Sequence, residues 1–216
     1  MSTTNTHRRR ASPTFFAATP ASKAPSSADG DPNTFIRTLR TSPEVEASLG
    51  GIAGNVPEAD KRICANALAF FVSTSGRSYG ADVGRRLKIR EMSLSESPPR
   101  CEVVLEIDVT RDMCNVYETL HGACAAYIVD PCSVASLIGL GLAVGVDGTG
   151  VSQSMNLTWH EPAPLGTMLR IVSTSISIQG RIRTARCEIW DRECKKLFIS
   201  AVHSTVKPSS SRGMKL

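Results

Sequence analysis

His121 and Gly122 lie near the start of a stretch, Glu118 to Gly141, that holds no basic residue and is otherwise mostly small and apolar; Asp130 follows nine residues after the histidine. A helix beginning at this histidine leaves the N–H groups of Gly122 and the residues after it without intrahelical partners, at the positive end of the helix dipole. Glycine lets another molecule come close to that backbone. Such donors polarise a carbonyl oxygen and hold the oxyanion that forms when the carbonyl is attacked. Asp130 in an apolar helix also calls for a reason, because an unpaired buried carboxylate is costly. Nine helical residues span roughly 13 Å of rise and about half a turn, whereas groups acting on one reacting atom lie within about 3 Å of it. His121 and Asp130 of one helix therefore cannot serve the same carbonyl. If both act on it, they come from two copies of the chain, in a two-fold dimer with paired helices that sets Asp130 of one beside Gly122 of the other.

The flanking elements must position these groups. Residues 34–49 and 57–72 read as helices; in the second, Pro57 suits the first helical position, acids fill the first turn, and Ile63, Ala67, Phe70 and Phe71 repeat at helical spacing. The period then changes. Residues 85–94 alternate imperfectly and residues 100–110 more cleanly, with Cys101, Val103 and Leu105 on one side. After the apolar stretch come strand candidates at 151–159, 168–178, 181–190 and 195–206, the last two joined by the charged connection Asp191–Cys194. Two strands, one long helix and further strands in series predict an α+β fold built on an antiparallel sheet. The helix has almost no polar stripe, so it must be buried on nearly all sides. A sheet curled around it achieves that. Pro131, directly after Asp130, predicts a kink that re-aims the carboxylate.

Composition narrows the partners. Of the chain's 216 residues, 41% are hydrophobic and 5% aromatic, so Leu, Ile, Val and Ala build the core. The net charge of +5 resides in the ends. Residues 1–28 carry Arg8, Arg9, Arg10 and Lys23 without an acid, and residues 207–216 carry Lys207, Arg212 and Lys215 without one. The body is left with 18 basic and 20 acidic residues. A slightly acidic body is not that of a nucleic-acid binder. Seven cysteines, an odd number with no C-x-x-C pair, read as reduced thiols of an intracellular protein rather than a disulfide framework or zinc site. No metal-ligand cluster and no transmembrane span is expected. Four segments are expected: a disordered tail or transit peptide at 1–33, an N-terminal helical extension at 34–80, the main domain at 81–206 and a flexible tail at 207–216. The Arg-rich, acid-poor start suits a mitochondrial transit peptide as well as a plain tail, so mitochondrion and cytoplasm both stand.

The stretch Asn115 to Asp130, with Asn, His-Gly and Asp at these spacings, resembles the hotdog-fold acyl-CoA thioesterases, most closely the thioesterase superfamily member 2 group. Residues 150–166, with Val151-Ser152 and Met155-Asn156, continue the likeness, which covers about residues 84–206. The resemblance implies hydrolysis of acyl-CoA to a free acid and coenzyme A, with no cofactor beyond the coenzyme A of the substrate. It implies a homodimer with sites at the seam, assembled further into a tetramer. By the same likeness, Gly122 polarises the thioester oxygen with help from His121, Asp130 of the neighbouring subunit activates water, Ser152 hydrogen-bonds that water, and Asn115 holds the loop or the thioester end. Arg181 and Arg183 are candidates for the coenzyme A phosphates. The pattern departs from the family at Ala123, where a second glycine is expected, and at Pro131. A catalytically weak module that binds acyl-CoA or assembles a complex is the alternative, and a hotdog dehydratase a third reading.

Overall fold

The structure, a computed structural model, describes residues 30–72 and 78–207. The expected N-terminal tail or transit peptide, apart from residues 30–33, and the C-terminal tail beyond Lys207 lie outside the described residues. Among the described residues, four helices precede the sheet: α1 (Thr34–Arg37), α2 (Pro43–Leu49), α3 (Glu58–Val72) and α4 (Ala81–Gly84). The single helix expected over 34–49 is two. Pro43 lacks an N–H and disfavours helical geometry in the residue before it, so the chain re-enters helix with Ser42 as N-cap, its hydroxyl accepting from Val45 N–H at 3.3 Å.

The sheet strands are β1 (Lys88–Glu96), β2 (Pro99–Asp108), β3 (Val151–Trp159), β4 (Met168–Ser177), β5 (Ile182–Asp191) and β6 (Leu197–Val206). Among the described residues they form one antiparallel six-stranded sheet in the order β1-β2-β4-β5-β6-β3. Strand β1 begins three residues later than the expected 85–94, because residues 81–84 form α4 first. At the β5–β6 connection, the Asp191 carboxylate accepts from Lys195 and Lys196 N–H at 2.7 and 2.6 Å, which closes the turn.

Helix α5 (Gly122–Val144) runs between β2 and β3 and packs against β2, β4, β5, β6 and β3, as a helix wrapped by the sheet must. Its length and apolarity would suit a membrane span, yet 72% of its most apolar window is buried in the protein. It passes through Pro131 as one element and stops at Gly145, whose φ of +69° is the left-handed conformation that glycine adopts at helix ends. Close packing on β2 depends on Gly139, where a Cβ would come within 2.5 Å of Cys101 Sγ. Inward side chains alternate along the strands: Cys101, Val103 and Leu105 on β2; Ala185, Cys187 and Ile189 on β5; Ala201, His203 and Thr205 on β6. Helix α3 packs against α5 and carries α1 and α2 on its other contacts.

Candidate active site

His121 is the N-cap of α5. Its backbone is extended (φ −65°, ψ 134°), and its Nδ1 accepts from Ala123 N–H at 3.1 Å. Accepting at Nδ1 leaves Nε2 as the site of the ring proton in the neutral imidazole, so the exposed ring offers an N–H outward. The cap uses the Ala123 N–H and leaves that of Gly122 without a partner among the described residues. Gly122 lies against the indole of Trp159, at the far end of β3; a Cβ built there would be 3.6 Å from Trp159 Nε1. This is an unsatisfied donor at a helix N-terminus beside a cleft of about 360 Å³ lined by Asn115, Gly122, Trp159 and His160. Asn115 organises the approach. Its Oδ1 accepts from Tyr117 N–H at 2.9 Å and Thr119 N–H at 3.3 Å, and its Nδ2 donates to Thr119 Oγ1 at 3.0 Å, fixing the loop before the helix.

Asp130 is held elsewhere. Ser152 Oγ donates to its Oδ1 at 2.6 Å, from the first turn of β3 after the α5–β3 connection. Behind it stands His203 of β6, fully buried, with Nε2 3.5 Å from Asp130 Oδ1 and Nδ1 2.6 Å from Ser133 Oγ. Ser133, one turn after Asp130, donates its hydroxyl proton to the Asp130 carbonyl at 2.9 Å. Burial pushes the His203 pKa below its ordinary value, against a smaller opposing pull from Asp130, so the imidazole is neutral near pH 7. Its Nε2 is buried without a hydrogen bond. The carboxyl group thus has a hydroxyl on its solvent side, a neutral imidazole on its protein side, and a side chain that is about half exposed.

Residues 117–198 match the family model of the thioesterase superfamily. This region has the hotdog fold and is similar to the thioesterase superfamily. Solved structures of similar fold include zebra fish thioesterase superfamily member 2, at 21% identity over 66% of this chain and 96% of that one, with a TM-score of 0.53. Thioesterase superfamily member 2 from Mus musculus is 23% identical over 59% of this chain and 86% of its own, with a TM-score of 0.48. A hypothetical thioesterase with coenzyme A from Streptococcus pneumoniae TIGR4 is 20% identical over 58% and 90%, with a TM-score of 0.47. No curated protein matches the chain.

Within this domain, the residues singled out by sequence form two groups: Asn115, His121 and Gly122 by Trp159, and Asp130 with Ser152. These groups lie at opposite ends of β3, seven residues or roughly 23 Å of strand apart. Arg181 is exposed on the β4–β5 connection. Arg183 departs from the expectation of a phosphate ligand. It is 2% exposed, points into the sheet's inner face, and donates from Nε to the Asp147 carbonyl at 2.7 Å. The inward register of β5, which it shares with Ala185 and Cys187, buries it. The cysteines of α5 are poor nucleophiles: burial raises the Cys124 thiol to about 11 and Cys132 well above its ordinary value. His203 was legible only as a strand residue. Its signal was register, since it falls between Ala201 and Thr205 on the face that turns toward α5.

Proposed function

We propose that the protein hydrolyses acyl-CoA thioesters, with each site assembled from two copies of the chain. The observation that carries this reading is the disposition of β3. It is an edge strand, exposed along nearly its whole length, with Val151 and Trp159 each 54% exposed at its two ends. An unpaired edge is a template for pairing with another chain. Antiparallel pairing of two β3 strands about a two-fold axis near Met155 and Asn156 reverses the strand. Position 152 of one copy then meets position 159 of the other, and the Asp130–Ser152 pair arrives beside the partner's Trp159 and Gly122. The separation that one chain cannot bridge is closed by symmetry.

In this site the thioester oxygen accepts from the Gly122 N–H, with His121 Nε2–H directed to the same region. Asp130 takes a proton from water as the water oxygen bonds to the carbonyl carbon. The oxyanion is held at the helix N-terminus. As it collapses, the carbon–sulfur bond breaks, the thiolate of coenzyme A leaves and takes the proton from Asp130, and a free acid remains. Ser152 orients the carboxyl group and the water. Neutral His203 supports Asp130 from behind without adding a cation that would weaken it as a base. The exposed Arg181, rather than the buried Arg183, is the cation we assign to a phosphate of the coenzyme A moiety.

The test is thiol release from acyl-CoA esters of two to sixteen carbons by wild type and Asp130→Asn. Hydrolysis by wild type and its loss in the variant are expected. Equal hydrolysis by both sinks the mechanism, and binding without hydrolysis by wild type supports the non-catalytic module instead.

A further inference from the structure

Two cavities flank α3, and the same two side chains separate them. The first, about 190 Å³, lies between α5 and α3 and is lined by Asp130 and Ser152, by Val134, Ala135, Ile138 and Phe71, and by Leu68 and Val72. The second, about 960 Å³, lies on the other side of Leu68 and Val72, among α2, α3 and β1, with an apolar lining that includes Leu39, Val45 and Ile89. Leu68 and Val72 are the residues that the two linings share. Both are nearly buried, at 8% and 4% exposed, and belong to the core. Val72 has little room to turn aside, because α4 presses on it: a Cβ on Gly84 would lie 2.6 Å from the Val72 Cβ.

We infer that Leu68 and Val72 form the end wall of the acyl-chain site and set the length of chain that the protein accepts. The inference rests on the proposed function for the identity of the ligand. The first cavity is apolar and begins at the carboxyl group placed at the reacting carbonyl, so the chain attached to that carbonyl enters it. A closed apolar cavity of about 150 Å³ holds a six-carbon ring; by that measure about 190 Å³ takes about eight carbons. Longer chains meet Leu68 and Val72, behind which lies space several times larger. The wall is a pair of side chains rather than backbone, so shortening either one joins the two volumes.

The experiment measures binding of non-hydrolysable acyl-CoA thioethers of two to sixteen carbons, alongside kcat/KM for the matching esters. Each buried methylene strengthens binding roughly fourfold. For wild type, affinity should climb at that rate to about eight carbons and then stop. In Leu68→Ala, and independently in Val72→Ala, the climb should continue, with the sixteen- to eight-carbon ratio rising at least tenfold. The ratio is taken within one preparation, so a smaller folded fraction cancels. An unbroken climb past twelve carbons in wild type overturns the wall, as does a ratio unchanged in both variants. If the thioethers show the break and the variants move it while no ester is hydrolysed, the wall stands and the hydrolase reading falls. If no thioether binds wild type, both fall.

Discussion

Replacing Gly122 with proline isolates the backbone donor on which the proposed chemistry depends. Gly122 is the first residue of α5, the helical position where proline is favoured because its N–H would be unpaired in any case. His121 already has the extended backbone that a residue before proline adopts, with φ −65° and ψ 134°. The new Cβ would stand 3.6 Å from Trp159 Nε1, an ordinary contact. The substitution thus replaces the amide hydrogen with the ring Cδ and leaves the local backbone conformation as it is. Loss of one oxyanion donor lowers kcat by about 10²–10³, or about 2.7–4 kcal/mol. Stability should move the other way: a glycine replaced by proline at a compatible backbone position gains about 0.4–1 kcal/mol by restricting the unfolded chain, a rise in Tm of a few degrees at most. Gly122→Ala is the control, since it adds the same Cβ and keeps the N–H. The assay is steady-state thiol release with thermal unfolding in parallel. If Gly122→Pro loses no more kcat than Gly122→Ala while both remain folded, the N–H of residue 122 does not hold the oxyanion.

Mixing Gly122→Pro with Asp130→Asn in equal amounts under subunit exchange should restore about a quarter of wild-type activity, because half of randomly paired dimers carry one intact site of two; no recovery in dimers shown to exchange refutes the shared site. Ser152→Ala deletes a hydrogen bond to a carboxylate, a bond type that contributes about 1.5–3 kcal/mol, so kcat should fall roughly ten- to hundredfold, and an unchanged kcat removes Ser152 from the mechanism. His203 binds its proton less readily folded than unfolded. As pH falls through the ordinary histidine range near 6.5, the unfolded chain therefore protonates first, and stability present above that range is lost below it. Tm followed from pH 7.5 to 5.0 should fall more steeply for wild type than for His203→Gln, and parallel slopes would remove the buried imidazole as the cause.

The long helix and the strands of the sheet were legible because their periods are strong. The all-round apolar stretch can only be an enclosed helix, and 151–159 reads as the strand it forms. Short-range competition hid more. Pro43 split one expected helix into two, and α4, a single turn, left no period to read. The site was half legible for a related reason. Asp130 and Gly122 declared themselves locally, as a carboxylate in apolar surroundings and a glycine after a potential cap. His203 lies seventy-three residues from Asp130 and meets it only because β6 lies between β5 and β3 beneath the helix. Arg183 was misjudged by the same blindness to register: a cation after a turn reads as solvated until the strand's alternation turns it inward.

The placement of charge around Asp130 bears on how the site divides its labour. A base that must take a proton and return it within one turnover is hindered by a fixed cation, which would hold it in the charged form. The residue packed against Asp130 from within is instead a histidine whose burial keeps it uncharged, and the residue on the open side is a serine. The positive end of the α5 dipole lies at the other half of the proposed site, at Gly122, where the proposed mechanism develops negative charge on oxygen. A donor end and a base end at opposite ends of one exposed strand do not compensate each other within a chain. In the proposed dimer, pairing that strand with its own copy would bring each base to a foreign donor, so that folding alone would leave the site incomplete and association would complete two at once.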